Sequence, residues 1–117
     1  MDGVLILAHG SRAKETEKTF EAVVDMVKKK VSTPLKIAYM EFSEQNIAAG
    51  LQQLVDQGVK SIRVVPYFLF SGIHIREDIP AELEAFSKEH PDIKITMAET
   101  LGADPRMAEI LVDRILG

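Results

Sequence analysis

Four apolar runs alternate along this chain with four stretches of helical periodicity, and few folds accept that order. Val4 to Ala8 is a continuous apolar run, as expected of a strand buried on both faces. Lys14 to Lys30 then carries Phe20, Val23, Val24 and Val27 at helical spacing. Pro34 breaks the chain, and Leu35 to Met40 reads as a second strand. Ser43 is positioned to cap a helix through Ile47, Leu51, Leu54 and Val55, which Gly58 ends. Ser61 to Phe70 reads as a third strand, with Pro66 near the point where ladder bonding gives out. Asp78 and Pro80 read as cap and first turn of a helix through Leu83 and Phe86, ended by Pro91. Ile93 to Ala98 is the fourth strand. Asp104-Pro105 opens a last helix with Met107, Ile110, Leu111, Ile115 and Leu116. The order βαβαβαβα with right-handed crossovers predicts an α/β fold, a four-stranded parallel sheet with helices on both faces. By analogy with flavodoxin-like folds the strand order is 2-1-3-4.

At 117 residues the chain is expected to form one domain spanning 1–117, large enough to fold without a staple. It has no cysteine, which excludes a disulfide framework, a thiolate metal site and a cysteine nucleophile, and fits a cytoplasmic location. No apolar run approaches the roughly 20 residues of a membrane span. Asp2 leads directly into a strand, so a signal peptide is not expected. A net charge of −4 and few aromatic residues argue against a nucleic-acid partner.

Ligands of open parallel sheets bind outside the carboxyl ends of strands, where neighbouring connections diverge. His9 follows strand 1 and leads into Gly10, Ser11 and Arg12. His74 follows strand 3 in the loop Ser71-Gly72-Ile73-His74. A 2-1-3-4 order puts those two strand ends side by side, so the histidines converge. Each alone reads equally well as a polar loop residue. Together at a switch point they suggest a metal site or an acid–base pair.

Glu41 follows strand 2 at the same sheet edge, where a carboxylate can take protons or bind metal; a solvated loop acid is the plainer reading. Asp78 can orient His74 as well as cap a helix. Ser11, Arg12 and Lys14 after His9, and Arg76 after His74, would ring the mouth of the pocket and hold anionic groups, although cations at helix starts are usually just solvated. His90, before Pro91, reads as structural at a helix end, and Lys28 to Lys30 as a solvated one.

Two resemblances bear on the chemistry. Ala8-His9-Gly10-Ser11 resembles the Arg-His-Gly motif of histidine phosphatases, but Ala8 replaces the arginine of the phosphate cage and no arginine cluster compensates. No Walker-type loop is present. The segments LILAHGSR (Leu5 to Arg12) and PYFLFSGIHIREDIP (Pro66 to Pro80) resemble the small CbiX-type sirohydrochlorin cobaltochelatases, class II tetrapyrrole chelatases, and the likeness spans essentially the whole chain. The second motif, Gly-x-His with Asp-Ile-Pro shortly after, is the more specific.

That resemblance implies a chelatase-like parallel α/β domain that inserts metal into sirohydrochlorin. It implies His9 and His74 as metal-binding and catalytic residues, beside which Glu41, from its place at the sheet edge, is a further catalytic candidate. Ser11, Arg12, Gly72 and Arg76, beside the two histidines, are the candidates for binding the anionic substrate. The resemblance also implies a homodimer rebuilding the two-domain body of larger members. Co²⁺ is the expected substrate metal, with Ni²⁺ or Fe²⁺ as alternatives, and no organic cofactor is expected. Neutral imidazole suits all three metals, and its ordinary pKa near 6.5 also suits proton transfer. Phe68, Leu69, Phe70 and Ile73 are possible walls for the macrocycle, with core or dimer packing the favoured reading. The competing classes are a phosphate-transfer enzyme using His9 and a non-catalytic metal or tetrapyrrole carrier.

Overall fold

Four parallel strands form one sheet in the order β2-β1-β3-β4, as the analogy with flavodoxin-like folds predicts. The structure, a computed structural model, describes residues 2–117, and of His74 the backbone alone. The elements are β1 (Asp2–Ala8), α1 (Lys14–Lys28), β2 (Leu35–Tyr39), α2 (Ile47–Asp56), β3 (Ser61–Pro66), α3 (Ile79–Glu89), β4 (Lys94–Met97) and α4 (Pro105–Leu116). A π-type turn, His74–Asp78, runs directly into α3.

Strand alternation sends β1 side chains to two cores. On one face Leu5 and Leu7 pack with Ala38, Ile62 and Val64 under α2 (Ile47, Leu51, Leu54) and α3 (Ile79, Leu83, Phe86). On the other, Ile6, Ala8 and Tyr39 pack under Phe20 and Val24 of α1. Helix α2 lies close to the sheet because Gly50 has no side chain: a Cβ there would stand 2.5 Å from Leu5 Cδ1. Central β1 is the most buried strand, so its carboxyl end is held on both sides.

Several boundaries differ from the sequence reading. Asn46, not Ser43, caps α2, its side chain accepting from Ala49 N at 2.9 Å. Ser43 Oγ instead accepts from Gln45 N in the loop before it. Asp78 makes no cap bond because it is already helical, the last residue of the π-type turn. Asp104 does cap α4, accepting from Arg106 N at 2.9 Å. Strand β3 stops at Pro66 rather than Phe70, since the ladder there gives way to the loop 67–70. The apolar run imitates a strand because its residues line a cavity instead.

Helix α4 buries none of its residues. The Cα radius of gyration is 15.0 Å and the long axis 50 Å, against roughly 13 Å of gyration for a compact chain of this size. No described helix is long and apolar enough to cross a membrane.

Candidate functional site

The ladder between β1 and β2 continues past both strands and carries the site with it. Met40 N donates to Ala8 O and Glu41 N to His9 O, each at 3.0 Å. His9 and Glu41 are therefore neighbours by backbone register. Their side chains meet, His9 Nε2 lying 3.1 Å from Glu41 Oε2. Both side chains are about half exposed, at 49% and 47%, so the pair faces the solvent side of the strand ends.

Two cavities flank His9. One, of about 380 Å³, is lined by His9, Tyr67, Phe68, Leu69, Phe70, Gly72 and Ile75. It joins the end of β1 to the loop after β3, two neighbouring strand ends in the 2-1-3-4 order. Phe68 packs partly against the core and its ring centroid lies 6.1 Å from that of His9. Phe70, at 79% exposure, forms the outer rim. A Cβ on Gly72 would meet nothing within 4 Å, so the bare position keeps this rim low. The backbone places His74 two residues beyond Gly72, in the first position of the π-type turn. Its side chain, and hence its expected metal-binding and catalytic role and its pairing with Asp78, lies outside the described residues. π-type turns recur at functional sites.

The second cavity, of about 370 Å³, lies on the α1 side and is lined by His9, Gly10, Glu17, Phe20, Tyr39 and Tyr67 among others. Sequence reasoning missed it, since Glu17 and Tyr39 read as helix and strand residues. Burial, with Glu21 and Glu17 close by, pushes the Tyr39 phenol up to about 12. Its hydroxyl donates to Glu21 Oε2 at 3.3 Å. Glu17 Oε2 is buried without a hydrogen-bond partner among the described residues. A larger concavity, about 760 Å³, lies past the end of β4 and shares Ile75 with the first cavity.

The cationic residues are more dispersed than the sequence reading expects. The guanidinium of Arg12 sits 4.9 Å from the ring centroid of Phe42. Ser11 Oγ accepts from Ala13 N and shapes the entry to α1. Arg76 lines a separate concavity with Ile73 and Glu77. No lysine or arginine lines either cavity at His9, which weighs against a phosphate site there. Among the described residues no group of three or more His, Asp or Glu side chains converges to hold a metal. His9 and Glu41 supply two donors. His90 is structural: its ring stacks on Phe86 at 4.0 Å, and Nδ1 donates to Phe86 O at 3.1 Å.

The fold and the site together define an open parallel α/β domain with an imidazole–carboxylate pair at its topological switch point. The chain belongs to the CbiX family, whose model matches residues 3–116. It is 33% identical to a sirohydrochlorin cobaltochelatase of Methanothermobacter thermautotrophicus, over 97% of this chain and 90% of that protein. It is also 33% identical to a sirohydrochlorin ferrochelatase of Priestia megaterium, over 98% of this chain but only 44% of that protein. Its structure superposes on the sirohydrochlorin chelatase SirB of Bacillus subtilis subspecies spizizenii, solved with cobalt, with a TM-score of 0.92 at 30% identity; 97% of this chain and 49% of that one are covered. The chain thus spans about half the length of some relatives and nearly all of others.

Proposed function

We propose that this chain is a sirohydrochlorin chelatase that inserts Co²⁺, in a homodimer, in the cytoplasm. The observation that carries the reading is the 3.1 Å His9–Glu41 pair, whose His9 lines an apolar cavity at the β1–β3 strand ends. Insertion replaces two pyrrole N–H bonds by metal–nitrogen bonds, so one divalent ion enters and two protons leave. His9 and His74 hold the ion as neutral imidazoles, loosely enough to release it to the macrocycle. Glu41 sets the orientation of His9, and Glu41 and an imidazole freed as the metal transfers take the two protons. Phe68, Leu69 and Phe70 offer an apolar surface to one face of the ring. Arg12 and Arg76, both exposed, meet its peripheral carboxylates, while Ser11 and Gly72 shape the rim. These contacts offset the repulsion between a polyanionic substrate and a protein of net charge −4.

Neutral imidazole accepts cobalt, nickel or iron, and relatives named for cobalt and for iron match this chain equally in identity. The test is an absorbance assay with sirohydrochlorin and each of Co²⁺, Ni²⁺ and Fe²⁺, timed against a protein-free control. Many turnovers, fastest with Co²⁺, are expected. A shift that stops at one equivalent would identify a carrier and overturn the enzyme reading. Fastest turnover with another metal would overturn the cobalt assignment alone.

A further inference from the structure

Two cavities meet at His9, and among the described residues His9 and Tyr67 alone line both. These two side chains form a partition at the strand ends. On one side of it Phe68, Leu69, Phe70 and Ile75 make an apolar wall. The other side, under α1, differs in chemistry: Thr16, Glu17, Thr19 and Tyr39 all contribute to its lining.

Glu17 is the residue there that packing does not explain. Its side chain is 13% exposed, and Oε2 is buried with no hydrogen-bond partner among the described residues. Its other oxygen, Oε1, lies 3.8 Å from Nζ of Lys14, whose side chain is 78% exposed, so that ion pair is loose and screened. A buried carboxylate oxygen left unpaired is costly, and such atoms are normally completed by a water or an ion. A second carboxylate bears on the same wall, since Glu21 accepts from the Tyr39 hydroxyl. Glu21 and Glu17 both add to the effect of burial in holding the Tyr39 proton, so the field at this wall is negative. No lysine or arginine lines the cavity. At about 30 Å³ per water molecule, its volume of about 370 Å³ has room for a divalent ion with its hydration shell.

The arrangement separates two approaches to one imidazole. A flat ring lying on Phe68 and Phe70 covers the apolar cavity and that side of His9. An ion arriving from the same side would have to pass the ring. From the α1 side it reaches the partition with the ring already in place. Glu17 and Glu21 repel a polyanionic ring and attract a divalent cation.

We infer that the α1-side cavity is the entry route of the divalent metal substrate, and that Glu17 receives the ion before it passes to His9. Oε2 of Glu17 replaces one water of the ion's shell, and the His9 imidazole then replaces Oε2. Glu17 holds the ion in transit only. The inference rests on the proposed function for its substrates, but metal uptake alone reads the route.

The test follows Co²⁺ uptake from a fluorescent chelator by stopped flow, without tetrapyrrole. Glu17→Gln keeps the side-chain shape and should slow uptake about tenfold with equilibrium Co²⁺ affinity little changed. Thr16→Trp crowds the cavity mouth from an exposed position on α1 and should slow uptake and release alike. Circular dichroism is the folding control for both. In turnover, Glu17→Gln should raise KM for Co²⁺ and leave KM for sirohydrochlorin, and kcat at saturating Co²⁺, as in the wild type. Wild-type uptake in both variants overturns the route. Lost equilibrium affinity in Glu17→Gln would make Glu17 a resident ligand and overturn its transit role. A lower kcat with KM for Co²⁺ unchanged would make it a proton acceptor, with the same consequence. Slowed uptake in both variants of a protein that does not turn over leaves the route standing and overturns the enzyme reading instead.

Discussion

Gly10 lies against the backbone carbonyl of Glu41 so closely that a Cβ at Gly10 would stand 2.1 Å from that oxygen. Its φ is +96°, a conformation that L side chains rarely adopt. The glycine therefore lets the loop after β1 turn across the end of β2, which brings His9 to Glu41. Gly10→Ala should cost at least about 2 kcal/mol, since strain and a backbone clash act together and neither can relax through a side chain. Urea unfolding measures the stability. The same variant should lose metal-insertion activity, and retention of both would show that this contact does not set the site.

His9 and His74 are expected to act as a unit. His9→Ala and His74→Ala should each abolish most insertion activity, and the double variant should be little worse, because effects within one site are strongly non-additive. Glu41→Gln keeps the shape of the side chain but removes its charge. It should weaken Co²⁺ affinity about 10- to 100-fold, the usual cost of losing a partner that orients a metal-binding imidazole. Calorimetric titration with Co²⁺ checks both points. A folded His74→Ala variant with wild-type turnover would remove that residue from the site.

Arg12 and Arg76 should affect substrate capture more than chemistry. Arg12→Ala or Arg76→Ala should raise KM for the tetrapyrrole several-fold with a smaller change in kcat. Both side chains are exposed, so the difference should shrink as salt rises. Steady-state kinetics at two ionic strengths decides this, and an unchanged KM in both variants assigns the arginines to ordinary surface roles.

Tyr39 predicts a loss of stability in alkali. Its folded pKa is raised from 10.0 to about 12, chiefly by burial and then by Glu21 and Glu17. The folded state therefore holds the phenolic proton more tightly than the unfolded chain does. That contribution is complete below pH 10 and is lost as pH rises from 10 to 12, by on the order of 2 kcal/mol. Tyr39→Phe should be slightly less stable at neutral pH, for want of the Glu21 hydrogen bond, but should lack this alkaline slope. Denaturant unfolding of both proteins at pH 8 and near pH 11.5 makes the comparison; equal slopes would contradict it.

The alternation of apolar runs and helical periods determined the element order and the parallel sheet, while its 2-1-3-4 arrangement came by analogy with flavodoxin-like folds and was decided by the structure. Each strand is short, β1 is buried along most of its length, and each crossover has one favoured hand. The same local signals placed His9, Glu41 and the Gly72 loop at one edge of the sheet. They also found the Asp104 cap, which depends only on residues next to it. Tertiary structure alone decided what depends on contacts between distant residues. Asn46 rather than Ser43 caps α2, because the chain after β2 makes another turn before the helix begins. The run Tyr67 to Phe70 leaves the sheet and walls a cavity, since apolar residues around a pocket have the same composition as those in a strand. Arg12 stacks on Phe42 and Arg76 lines a different concavity, which no spacing reveals. The apolar stripe of α4 is plain in the sequence, but only the fold shows that its own domain leaves it uncovered. Periodicity records which face of an element avoids water, and only the assembled chain shows what that face meets.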